Sequence, residues 1–245
     1  MNTQEPYYRP DLALVHHRGF GFHADLCAPG ILELLEPVRA RDGLVLEVGC
    51  GSGLLTRYLV DAGHRVIATD ASPAMLELAR ETVPDAEAIE RITLPDDPLP
   101  NADAVVSIGH ALCYLPTVEA VERSLVALAR AIRPGGVYAL DVEDLEWAAA
   151  RTEQPAQGRV GDDWAIITEY EVPAPDRFVR RITTFLRDGD GAWQRDDETH
   201  DNVMIDTRTI PALLEPEGVD VEVRLSFGDE ELPVGLRTVV GRKRA

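Results

Sequence analysis

The hydrophobic positions change period along the chain, and the changes mark out its elements. Leu44–Val48 is an apolar, β-branched run interrupted only by Glu47, the pattern of a strand buried on both faces. Leu55, Tyr58, Leu59 and Ala62 then recur at i, i+3, i+4 and i+7, a helical stripe that stops at Gly63, where a left-handed C′ glycine belongs. Residues 65–69 read as a second strand, closed by Asp70. The stretch is one strand–helix–strand unit. Its tight turn lies at the carboxyl end of the first strand, where open parallel sheets bind ligands.

The same reading extends in both directions. Upstream, Asp11 is read as the cap of a short helix through Leu14, Val15 and His16, and Pro29 opens a helix with Ile31, Leu34, Leu35 and Val38 as its core stripe. Downstream, Ser72 and Pro73 make an N-cap and first-turn pair, with Met75, Leu78 and Ala79 inward. Short strands follow at 86–92 and 104–108. Thr117 caps a helix that buries Val121, Leu125, Leu128 and Ile132, and Pro134-Gly135-Gly136 turns it into a fifth strand at 137–142. Within 144–206 the period becomes two. Trp164, Ile166, Thr168, Tyr170 and Val172 alternate, and RFVRRITTFLR and AWQRDDETHDNVMI read as two further strands with DGDG as their hairpin turn. Thr207 starts a last helix with Ile210, Leu213 and Leu214 inward, and strands at 219–227 and 236–241 end the chain.

Composition narrows the class. With 245 residues and 45% hydrophobic positions, the chain can build one large domain or a domain with an elaboration. A net charge of −19, with Lys243 the only lysine, disfavours a nucleic-acid partner. No run of about eighteen apolar residues occurs, and MNTQEPYYRPD lacks the basic and apolar regions of a secretory signal, so no membrane partner and a cytoplasmic location are expected. Cys27, Cys50 and Cys113 are odd in number, scattered and without metal spacing, which fits a reducing compartment. Cys50 is read as a small filler of the turn, with no basic neighbour to make it a nucleophile. DGDG lacks the acid a calcium loop needs at its twelfth position, which is Thr199, so no metal is expected.

The turn carries the chemistry. Gly49, Gly51 and Gly53 alternate, whereas a dinucleotide fingerprint needs its third glycine where Leu54 stands. With Glu47 two residues before the first glycine and Asp70 at the next strand end, E-x-G-x-G-x-G resembles the cofactor loop of the class I S-adenosylmethionine-dependent methyltransferases. ARAIRPGGVYALDV resembles the segment before their fifth strand. The resemblance covers 29–142 well and the final hairpin fairly. It implies an α/β, Rossmann-like seven-stranded and mostly parallel sheet of order 3-2-1-4-5-7-6, flanked by helices and carrying an inserted antiparallel β ribbon. The implied division is an N-terminal lid arm at 1–28, a cofactor domain at 29–143 and 207–245, and the insertion at 144–206. That insertion is similar to those of glycine and sugar-amine N-methyltransferases, where it roofs the substrate pocket or mediates contact in a homodimer.

By the same resemblance S-adenosylmethionine is the cofactor and S-adenosylhomocysteine the product. Gly49, Gly51 and Gly53, with Cys50 and Leu55 in the same turn, would let the backbone approach the methionyl part. Glu47 would face its amino and sulfonium side. Asp70, with Ala71, would take the ribose, and Met75, Glu90, Arg91 and Ile92 the adenine, Glu90 standing four residues before Leu94-Pro95. Ile108 and Gly109 complete the crevice, and Tyr8 reaches it from the arm. His110, at the end of the fourth strand, is the first choice for a proton acceptor, with His200 next, since imidazole titrates near neutrality. His16, Phe20, Tyr114 and Arg181 are the substrate candidates, and Arg18 is a further candidate contact from the lid arm. The expected function is methyl transfer to nitrogen or oxygen of a small molecule. The alternatives are a protein acceptor, a non-catalytic cofactor sensor, and transfer of another group from the same cofactor.

Overall fold

The buried strand at the centre of the sequence is also the centre of the sheet. In the computed structural model, which describes residues 7–245, β1 (Leu44–Val48) pairs in parallel with β2 (Arg65–Asp70) on one side and β4 (Ala102–Ser107) on the other. β2 continues to β3 (Ala88–Arg91), and β4 to β5 (Ile132–Glu143). The far edge is a hairpin of β10 (Val219–Arg224) and β11 (Leu236–Lys243), with β11 antiparallel to both β5 and β10. The order β3-β2-β1-β4-β5-β11-β10 is the expected 3-2-1-4-5-7-6 when the main sheet is counted alone.

Alternate side chains of these strands enter two separate cores, which is why the strands read as continuous apolar runs. Val45, Val66, Ala104 and Ala139 pack under α2 (Phe22–Arg39), α3 (Leu54–Asp61) and α4 (Pro73–Thr82). Leu46, Val105, Tyr138 and Val239 pack under α5 (Val118–Ala131) and α7 (Ile210–Leu214). The caps at Ser72 and Thr117 form as expected, each side chain accepting from a backbone N–H of the first turn.

The N-terminal elements differ from the sequence reading. Asp11 lies in the first turn of α1 (Pro10–Gly19), whose N-cap is Arg9, because Pro10 already occupies the opening position. α2 starts at Phe22 and runs through Pro29, so the boundary drawn at 28 falls inside a helix. Burial outweighs the missing N–H here. Gly30, the next residue, sits against the backbone of Phe227 and Gly228, where a Cβ would come within 2.7 Å of a backbone nitrogen.

Residues 157–203 form their own sheet of four antiparallel strands in chain order: β6 (Gln157–Val160), β7 (Trp164–Ala174), β8 (Arg177–Arg187) and β9 (Trp193–Val203). β6 is absent from the sequence reading because all its residues are exposed and it shows no alternation. α1 packs on this sheet through Leu12 and Val15, against Trp164, Ile166 and Ile182. A short helix, α6 (Leu145–Ala149), leads from β5 toward it. Among the described residues no helix is long and apolar enough to cross a membrane.

Candidate active site

The chain turns sharply after Val48 because Gly49, Gly51 and Gly53 all take left-handed φ, at +68°, +54° and +81°. Of the three, only Gly51 leaves open space where a side chain would stand, while Gly49 is pressed against the protein. A Cβ on Gly49 would lie 2.3 Å from the Cβ of Ala111, and one on Gly51 would meet only Met75 Sδ, at 3.9 Å. An added Cβ on Gly53 would instead meet Ala79 and Val83, and Gly53 is not among the residues lining the cavity described below. Asp70 closes the turn from β2. Its carboxylate accepts from the N–H of Gly51 at 2.9 Å and of Ser72 at 2.8 Å. Burial raises its pKa, opposed by those same N–H groups and that of Ala71.

A cavity of about 620 Å³ opens over this turn. Glu47, Gly49, Cys50, Gly51, Leu55, Asp70, Ala71 and Met75 line it from the first two strands and their helices. Arg91, Ile92, Ile108, Gly109 and Tyr114 line it from the later strand ends, and Tyr8, His16 and Phe20 from the N-terminal arm. Glu47 is buried, with Oε2 lacking a hydrogen-bond partner among the described residues; burial pushes its carboxyl up to about 8, opposed by the Thr56 hydroxyl and reinforced by the charge of Asp70. The Cys50 thiol is pushed well up by burial and is no nucleophile.

The remaining candidates fall elsewhere. Glu90 is exposed on β3 and outside the cavity; its neighbours Arg91 and Ile92 reach it instead. Arg181 is 60% exposed and paired with Glu171 at 2.7 Å. Arg18 pairs with Asp163 on the far side of α1. His200 is fully buried, holding Glu198 Oε2 at 2.9 Å through Nε2. His110 has left-handed φ (+50°) and stacks on Tyr114 with ring centroids 5.8 Å apart. Neither histidine lines the cavity. Burial, then the positive charge of Arg180, holds His110 well below the ordinary imidazole value, so its ring is neutral.

Four functional positions escaped the sequence reading. Asp141, fully buried on β5, accepts from the N–H of Gly109 at 2.9 Å and of His110 at 2.5 Å, and holds His23 Nε2 at 2.9 Å. It thereby fixes both the turn after β4 and the start of α2. Glu143 ends the same strand with its side chain 1% exposed. Both acids stand in an apolar run, VYALDVE, and a charge in such a run was the available signal. Arg180, not Arg181, points inward, because it shares a face of β8 with the buried Phe178 and Ile182. The period-two pattern alone carried that distinction.

A glycine turn, a carboxylate at the end of the second strand and a cavity over both define a nucleoside-binding α/β domain. Residues 46–140 match the family model described as "Methyltransferase domain". A malonyl-[acyl-carrier protein] O-methyltransferase of Pectobacterium atrosepticum is 36% identical over 140 residues, 55% of this chain and 54% of that one. Among solved structures, the sugar N-methyltransferase KedS8 of Streptoalloteichus superposes with TM-score 0.79 at 18% identity, over 100% of this chain and 98% of that one. DesVI of Streptomyces venezuelae gives 0.77 at 21%, over 97% and 100%. The chain spans between about half and three-fifths of the length of the curated relatives it matches first. Residues 46–140 are thus matched by a methyltransferase domain, and the fold of the chain is that of the Rossmann-like, S-adenosylmethionine-dependent methyltransferases.

The cavity's own groups fit that cofactor. Glu47 offers an unpaired acceptor to a cation, Gly51 leaves space for close approach, and Asp70 has lone pairs beyond the ones its two N–H donors use. Among the described residues no group of three or more His, Cys, Asp or Glu side chains could hold a metal ion.

Proposed function

We propose that this chain transfers a methyl group from S-adenosylmethionine to a nitrogen or oxygen atom of a small molecule, releasing S-adenosylhomocysteine. The observation that carries the reading is the buried Glu47 carboxyl, one oxygen of which has no hydrogen-bond partner among the described residues, beside the glycine turn that Asp70 clasps. Bound in this cavity, the cofactor supplies a sulfonium methyl on an excellent leaving group. The protein then has to bind, align and exclude water. Asp70 would hold the ribose hydroxyls, Glu47 the cationic end, and Met75, Ile92 and Arg91 the adenine. Tyr8, His16 and Phe20 would cover the site from the arm. Alignment of this kind contributes on the order of 7–11 kcal/mol of barrier reduction, which is why no catalytic triad is needed.

Calorimetry with S-adenosylmethionine and with nicotinamide dinucleotides tests the first half. Saturable binding of the former alone is expected, with Asp70→Ala weakening it about tenfold or more, the loss of hydrogen bonds to a charged group. Release of S-adenosylhomocysteine against a panel of amines and phenols tests the second. Tight binding with no turnover on any acceptor would favour a cofactor sensor.

A further inference from the structure

Tyr114 touches two places. It lines the cofactor cavity, and it also meets His110 and Arg180, which do not line it. Glu143 is the centre of these. Neither carboxylate oxygen has a hydrogen-bond partner among the described residues; the nearest group, His110 Nε2, is 3.4 Å away and not aligned for a hydrogen bond. Around it, Arg180 Nε, Trp147 Nε1 and Asn202 Nδ2 are buried donors without acceptors among the described residues. Further contacts make the set continuous. His110 lies 5.8 Å, ring to ring, from both Tyr114 and Trp147, and Arg180 bonds to the Tyr114 hydroxyl and to Asn202 Oδ1 at 3.2 Å.

Buried polar groups left unpaired are costly, and proteins keep them where a ligand completes them. Here the missing partners are of two kinds. Glu143 lacks hydrogen-bond donors, while Arg180, Trp147 and Asn202 lack acceptors. Resting on the methyl-transfer reading above, we propose that Glu143 receives the nitrogen of an amine acceptor and takes its proton, while an oxygen-bearing part of the same small molecule lies against Arg180, Trp147 and Asn202. An alcohol brings one donor and no charge to a carboxylate with two open oxygens. An ammonium brings several donors and the opposite charge.

The proton step balances simply. A bound ammonium first favours the carboxylate form of Glu143, whose own proton passes to solvent; one N–H bond of the ammonium then breaks, one O–H bond forms on Glu143, and the electron pair remains on nitrogen as the lone pair that attacks. The surroundings favour that position of the proton. Burial pushes the Glu143 carboxyl up to about 8, Asp141 on the same strand adds to the rise, and Arg180 from β8 and Arg151 beyond α6 oppose it. His110, the other titratable neighbour, is neutral.

The test is a calorimetric titration of matched amine and hydroxyl compounds: ethanolamine with ethylene glycol, glycine with glycolate, and 3-amino-3-deoxyglucose with glucose. Each is titrated with and without S-adenosylhomocysteine. At least one amine is expected to bind tenfold or more tightly than its hydroxyl counterpart. Glu143→Gln should cut that preference below threefold while leaving S-adenosylhomocysteine affinity unchanged. A protein that takes S-adenosylhomocysteine and prefers no amine, or a Glu143→Gln variant that keeps the preference, overturns the assignment of Glu143. One that ignores S-adenosylhomocysteine but keeps a Glu143-dependent preference overturns the methyl-transfer reading alone, and failure of both signals overturns both. If Glu143→Gln does not fold, the wild-type comparison within each pair still decides.

Discussion

Glu47 illustrates how one buried side chain couples cofactor binding to pH. With its carboxyl raised to about 8, chiefly by burial, the side chain is protonated at neutral pH. A cation brought beside it favours the charged form, so binding releases a proton. The sign follows. Affinity for S-adenosylmethionine should rise with pH, by at most about tenfold per unit, and level off above about 8. Calorimetry at pH 7 in buffers of different ionisation enthalpy should detect the released proton, and Glu47→Gln should abolish both the release and the slope. A pH-independent affinity in the wild type would count against Glu47 as the group that meets the charge. Arg180 and Arg181 make a different point at this scale. They are adjacent and chemically identical, yet one is buried against Tyr114 and the other is exposed with Glu171, because successive side chains on a strand face opposite ways.

Among the elements, β5 and α2 depend on each other through Asp141. This carboxylate joins β5, the turn after β4 and the first turn of α2. Burial works against a charge on His23, but the hydrogen bond and charge of Asp141 outweigh it and hold the imidazole above its ordinary value. A folded value raised above the unfolded one gives stability that is fully present below about pH 6.5 and is lost as pH rises through the folded value. Glu47 and Glu143, also raised, add a slope of the same sign between their ordinary range and about pH 8. The informative quantity is therefore the difference between wild type and variant. Asp141→Asn should cost about 2 kcal/mol, lower Tm by roughly 4–8 °C, and remove the part of the pH dependence near and above 6.5. Thermal melts across pH 5–9 would check this; parallel curves for the two proteins would exclude the His23 contribution.

At the scale of the molecule, the N-terminal arm clasps the two sheets together over the cavity. Glu198 of β9 accepts from the backbone N–H of Tyr8 at 2.9 Å and of Arg9 at 2.8 Å, and Arg9 pairs with Asp196 at 2.6 Å. On the other side, Ser72 donates to the Tyr8 carbonyl at 2.8 Å, and His17 meets Ser52 at 2.9 Å. Tyr8 holds a left-handed φ of +60° within this clasp, a conformation disfavoured for a bulky side chain. Glu198→Gln should loosen it by about 1 kcal/mol and speed S-adenosylhomocysteine release roughly fivefold, measurable by stopped-flow or surface plasmon resonance; an unchanged rate would mean the arm does not gate the site. The sequence by itself determined the glycine turn, Asp70, the sheet order implied by its family resemblance, and most helices, because these are set by local periodicity, capping and backbone freedom at single residues. It did not determine that α2 runs through Pro29, that Gly51 lines the cavity while Gly53 does not, that Glu90 stays outside, or that Asp141, Glu143, His23 and Arg180 converge. Those outcomes depend on which burial wins and on side chains distant in the chain meeting at the sheet's carboxyl edge, and only the tertiary structure supplies those neighbours.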